Sequence, residues 1–120
     1  MIISALAFAA LALSTLDDLP GAYAAEGDGG TCRVILADPA TRPADSRLEP
    51  DAVTGLALTA PGCPLAIEGA AIWRLEEDER GAALALFDQA GTLLWAGLRE
   101  DDVWRGPDAE EREIVLRRVG

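Results

Sequence analysis

From residue 31 to residue 118 apolar and polar side chains alternate in short runs, and most runs end near glycine, proline or aspartate. Thr31-Cys32-Arg33-Val34-Ile35-Leu36 puts Cys32, Val34 and Leu36 on one face, the period-2 signature of a half-buried strand. A stretch from Asp38 to Asp51 with Pro39, Pro43 and Pro50 reads as a loop. Val53-Thr54-Gly55-Leu56-Ala57-Leu58 follows, then Pro61-Gly62 as a break before Cys63. Two strand segments, Leu65-Ala66-Ile67 and Ala71-Ile72-Trp73-Arg74-Leu75, flank Gly69, and the polar run from Glu76 to Arg80 reads as a loop. Ala82-Ala83-Leu84-Ala85-Leu86-Phe87 carries Leu84 and Leu86 on one side. Asp88-Gln89-Ala90-Gly91 turns it, with glycine where positive φ costs little, and 92–98 returns antiparallel. A break ends near Val103-Trp104, and Glu113-Ile114-Val115-Leu116-Arg117-Arg118 is the last strand. The Ala-rich segments have helical propensity. Their shortness, and punctuation about every ten residues, instead predict an all-β meander that closes as a sandwich or barrel. Trp73, Leu84, Leu86 and Leu116 would fill its interior, with Trp95 and Trp104 in the core or on an exposed rim.

The front of the chain breaks this pattern. Residues 2–13 are almost wholly apolar, a length that suits a signal-peptide core and is too short to span a bilayer comfortably. The basic residue that normally precedes such a core is missing, so either the start is assigned too late or the chain is trimmed. Two small-x-small cleavage sites compete. Ala10-Leu11-Ala12 leaves Leu13 at the new amino terminus, and Ala22-Tyr23-Ala24 leaves Ala25. The first follows the apolar core directly, and Asp17-Asp18 do not belong inside one, so residues 1–12 are taken as the signal peptide. The mature chain is then one domain of roughly 95–108 residues.

Composition narrows the chemistry. The chain of 120 residues has no histidine, no lysine and two cysteines, and its formal net charge is −11. A nucleic-acid binder needs a basic stripe to displace counterions, and an anionic membrane surface needs the same, so both partners are disfavoured. Without histidine or lysine there is no ordinary catalytic triad and no Schiff base, which argues against an enzyme. The carboxylates of Glu76, Glu77, Asp78 and Glu79 form a consecutive run that reads as solvated surface. Asp101-Asp102 and Glu110-Glu111 lack the alternating ligand spacing of a calcium loop. Cys32 and Cys63 are compatible with free thiols or half a metal site, but a zinc site needs about four ligands. Behind an export leader the oxidising compartment makes a disulfide the expected state. It would close a loop of about 30 residues, worth roughly 3–4 kcal/mol in a domain too small to be comfortably stable without help.

Several motifs occur in an order that resembles the bacterial inhibitors of serralysin-type zinc metalloproteases, the AprI/Inh family. Leu19-Pro20-Gly21-Ala22-Tyr23 is similar to that family's opening Leu-x-Gly-x-aromatic strand, with Tyr23 where the family commonly has Trp. Residues 31–36 resemble its cysteine-bearing second strand. Cys63-Pro64-Leu65 followed by Trp73 resembles its second cysteine and the Trp about ten residues on. Leu86-Phe87-Asp88-Gln89-Ala90-Gly91-Thr92-Leu93 resembles its Leu-x-Asp-x-x-Gly hairpin, Trp104-Arg105-Gly106 an aromatic-x-Gly element, and 114–118 its closing strand.

The resemblance implies a small antiparallel up-and-down β-barrel of eight strands with one disulfide over residues 19–120. It also implies a periplasmic location and a protein target. The chain would be a monomer without a cofactor, whose partner is a serralysin-type zinc metalloprotease. Members of the family push an extended amino-terminal segment into the protease cleft, where the terminal amine approaches the protease's zinc. On this chain the segment would be Leu13-Ser14-Thr15-Leu16-Asp17-Asp18. The chemistry is sensible: an α-amino group with an ordinary pKa near 7.7–8.0 can lose its proton and ligate zinc. The alternative is a small envelope barrel that binds an apolar ligand or a protein without inhibiting a protease.

Overall fold

A computed structural model describes residues 19–39, 52–79 and 81–119. Eight strands follow one another: β1 (Gly21–Gly27), β2 (Gly30–Pro39), β3 (Ala52–Thr59), β4 (Ile72–Asp78), β5 (Gly81–Phe87), β6 (Leu93–Glu100), β7 (Val103–Pro107) and β8 (Glu113–Arg118). Each pairs antiparallel with the next, and β1 pairs with β8, for example Ala25 opposite Leu116, so the sheet is a closed up-and-down barrel. Closure leaves no unpaired sheet edge.

Alternation decides what faces inward. Tyr23 and Ala25, Val34 and Leu36, Trp73 and Leu75, Leu84 and Leu86, Trp95, Trp104, Ile114 and Leu116 are all buried. Trp95 and Trp104, which the alternation alone left between core and rim, both lie in the core. The two largest fully buried side chains, Trp73 and Trp95, shape the rest of the packing. The Trp73 ring lies over its cross-strand neighbour Gly55, where an added Cβ would come within 2.5 Å of the indole. The Trp95 ring covers Gly97 in the same way. Each indole N–H has a backbone partner. Trp73 Nε1 donates to the Ala37 carbonyl at 2.9 Å, at the register shift between β2 and β3. Trp95 Nε1 donates to the carbonyls of Gly106 and Ile114 at 3.0 and 3.1 Å. A buried indole therefore costs no unsatisfied donor. Leu36, Leu84, Leu86 and Leu116 pack with these two rings in the interior, as side chains do in small eight-stranded barrels.

Both ends are covered. At the end where β1 starts and β8 finishes, here called the mouth, Leu19 is buried ahead of β1. At the far end the β3–β4 connection folds under the barrel and inserts Leu65, Ile67 and Ala70 into the core. Leu65-Ala66-Ile67 is therefore not a strand. It forms tight turns, with Glu68 N–H on the Leu65 carbonyl and Ala70 N–H on that of Ile67, because an inserted plug has no neighbouring strand to pair with. Cys32 and Cys63 form a disulfide, with Cα atoms 5.2 Å apart, that ties this connection to β2.

Three further expectations change. The polar run from Glu76 does not open a loop, because Glu76, Glu77 and Asp78 continue β4 opposite Ala83, Ala82 and Gly81. Backbone pairing with the Ala-rich β5 outweighs the local polarity. Asp38 and Pro39 likewise extend β2, and the remainder of that expected loop, residues 40–51, lies outside the described residues. Between Leu98 and Glu113 the pattern showed no strand, yet Val103–Pro107 is β7. Its five residues include Gly106 and Pro107, which hide a strand from a propensity reading.

Two hairpins share one design. Asp88 Oδ1 accepts from the backbone N–H groups of Ala90 and Thr92, both at 2.9 Å. Asp108 Oδ1 accepts from Glu110 at 2.8 Å and Arg112 at 2.9 Å. The fourth residue is left-handed in each, Gly91 with φ 87° and Glu111 with φ 65°. Only the first has the glycine that this conformation favours.

Candidate functional site

The expected inhibitory segment, Leu13 to Asp18, lies outside the described residues. What the structure defines is the base from which it leaves. The inward alternation of Ile114 and Leu116 carries on to Arg118, which sets its guanidinium at the mouth. Arg118 Nη2 donates to the Pro20 carbonyl at 2.9 Å and Nη1 to the Tyr23 hydroxyl at 3.2 Å, and the guanidinium lies 5.6 Å from the Tyr23 ring centroid. The Tyr23 hydroxyl in turn donates to the Leu19 carbonyl at 2.6 Å. Two successive carbonyls, 19 and 20, are thus held by one β1 side chain and one β8 side chain. Cation–π contact and hydrogen bonds act together here, and the planar fork of arginine suits that double use.

Beside this clamp is a cavity of about 280 Å³ lined by Leu19, Tyr23, Arg99, Asp102, Trp104 and the Arg117-Arg118 pair. Arg99 stacks over Trp104 at 5.7 Å and donates through Nε to the Asp101 carbonyl at 3.2 Å. Glu77 sits at the end of the inward series of β4. Burial pushes its carboxyl above the usual range, and the Arg99 charge partly opposes that. Arg117 reaches Glu26 at 3.9 Å. The mouth therefore gathers arginine in a chain whose formal charge is −11. Asp101 and Asp102 form the β6–β7 turn beside it, while Glu110 and Glu111 lie in the β7–β8 turn at the opposite end. Among the described residues no group of three or more cysteine, aspartate or glutamate side chains is arranged to hold a metal ion.

The sequence reading placed the site on residues 13–18 and did not single out Arg118, Arg99 or Arg117. A signal for Arg118 was present, because the period-2 count from Ile114 through Leu116 falls on it. Nothing in the sequence announced that Tyr23, 95 positions away, would meet it. The second cleavage site has a structural consequence. Removal of residues through Ala24 would delete the first half of β1, with the buried Tyr23 and Leu19. No protein-family model matches the chain, and no curated protein matches it.

Proposed function

We propose that the processed chain is a periplasmic protein inhibitor of a secreted serralysin-type zinc metalloprotease, and that residues 13–18 are the segment that occupies the protease cleft. The observation that carries the reading is the clamp at the mouth. A rigid, disulfide-linked barrel holds the chain at Leu19 and Pro20 through Tyr23 and Arg118, directly behind the proposed segment. A fixed base limits how much chain must be ordered on binding, which is a large cost for a flexible tail. The eight-stranded barrel and the Cys32–Cys63 link are also the features that the motif resemblance implied. In this reading Leu13 supplies the free amine, Ser14, Thr15 and Leu16 run along the cleft, and Asp17 and Asp18 lead into the barrel.

The experiment is amino-terminal sequencing of the exported protein, followed by titration against a serralysin-type protease. Stoichiometric loss of protease activity is expected. A chain lacking residues 13–18 should keep the barrel fold and lose inhibition. Undiminished inhibition by that truncation would refute the tail mechanism, and no inhibition by the intact processed chain would refute the function.

A further inference from the structure

The outer surface of the barrel is not uniform. On one side Arg105 is paired with Glu100 and Glu113, and Arg117 with Glu26, across β6, β7, β8 and β1. The other side is mainly apolar, with the Arg74–Glu76 pair on β4 and Arg33 on β2 as its charged groups. Ile35 stands opposite Leu58, Leu56 opposite Ile72, Ile72 opposite Phe87, and Phe87 opposite Leu93, one connected series across β2 to β6. Leu56 and Leu58 are 68% and 64% exposed, and Ile35 and Leu93 are about half exposed. Single exposed leucines are ordinary, but a contiguous series of this kind marks an interaction surface.

The series runs into an open groove of about 770 Å³ bounded by Leu58, Pro61, Gly69, Ala71 and the Asp88 turn. Small side chains line most of it. Its ionisable groups are Glu68 and Asp88, both acidic, and no arginine lines it. The groove lies beside the β3–β4 connection, at the end of the barrel away from the mouth. Leu19 and Pro20, where the described chain begins, are at the opposite end.

We propose that this wall and groove dock a segment of another protein that presents aliphatic or aromatic side chains flanked by arginine or lysine. Charge complementarity selects that occupant. A second copy of this chain brings another formal charge of −11, and an anionic lipid surface is repelled for the same reason. Strand addition is unavailable, because the closed barrel offers no edge, so contact must be made by side chains on the outer face. The surface is separate from the inhibitory reading and does not depend on it.

The test is an amide chemical-shift titration of the ¹⁵N-labelled full chain with two synthetic peptides, acetyl-Arg-Leu-Phe-Leu-Arg-amide and acetyl-Glu-Leu-Phe-Leu-Glu-amide. Saturable shifts at Leu58, Gly69 and Ala90 are expected with the basic peptide, and binding about tenfold weaker or less with the acidic one. Leu58→Asp should abolish the basic peptide's effect. Should that variant unfold, Glu68→Gln, an exposed and milder change, must still weaken the basic peptide and narrow the gap between the two. The proposal is overturned by no saturable shift with either peptide, by equal binding of both, or by shifts confined to the mouth near Tyr23 and Trp104. Concentration-dependent broadening of the same amides without peptide would assign the wall to self-association and overturn it as well.

Discussion

Replacing Cys32 and Cys63 together by alanine tests how much of this small barrel's stability resides in its cross-link. The two cysteines are 31 positions apart. Loop-closure entropy for that separation amounts to ~3.7 kcal/mol at 25 °C. A domain of this size is typically stable by ~5–15 kcal/mol, so the loss is a large fraction of the whole. At ~4–8 °C per kcal/mol the midpoint of thermal unfolding should fall by roughly 15–30 °C. Urea unfolding followed by tryptophan emission is a suitable assay, since Trp73, Trp95 and Trp104 are all buried and all become solvated. The urea dependence carries a second readout. A cross-link acts mainly on the unfolded chain, which expands when it is removed, so the m-value should rise as the midpoint falls. The far-end plug offers a separate control. Ile67→Ala keeps the disulfide and removes buried contacts, and should cost ~2–5 kcal/mol with little change in m. A loss below ~1 kcal/mol in the double alanine variant would refute the entropic account. An unchanged m-value beside a large loss would move the effect into the folded state.

Other expectations concern single positions. Gly106→Ala should cost ~3 kcal/mol or more in urea unfolding, because its Cβ would meet the Ala96 carbonyl oxygen and the Gly97 backbone, neither of which can rotate away. Burial acts to raise the Asp108 carboxyl, but backbone N–H groups of Arg112 and Glu110 and the Arg112 charge outweigh it and hold the group below the usual carboxylate range. Its stabilising contribution is therefore complete above the ordinary aspartate pKa and is lost as pH falls through the lower folded-state value. Asp108→Asn should cost ~2 kcal/mol at pH 7, and its deficit against the parent should shrink on acid titration below about pH 4. A constant deficit would refute the ionised turn cap. Glu111→Gly should raise stability by ~0.5–1 kcal/mol in the same assay, since φ 65° is unfavourable for glutamate and open to glycine.

How much was legible in the chain varies with the range of the interaction. Period-2 alternation identified the inner faces of β2 and β5, where Val34, Leu36, Leu84 and Leu86 are buried as that alternation requires, and Leu116 of β8 is interior as expected. The turn at Asp88 was also legible, because aspartate and a left-handed glycine act within five residues. Its twin at Asp108 was not, because Glu111 fills the glycine position. Leu65-Ala66-Ile67 misled for the opposite reason. An apolar triplet looks the same whether it pairs as a strand or plugs a barrel end.

Local sequence therefore determined the all-β class, the presence of strands with one apolar face, and the availability of two cysteines for a single link. These depend on side-chain periodicity, turn chemistry and composition, which need no knowledge of distant partners. Only the tertiary structure decided that β1 and β8 close the sheet, that Trp95 of β6 reaches the carbonyls of Gly106 on β7 and Ile114 on β8, and that Arg118 holds the chain at Pro20. Those outcomes depend on which strands become neighbours after closure. The register that unites residues 98 positions apart is a property of the whole barrel rather than of either segment.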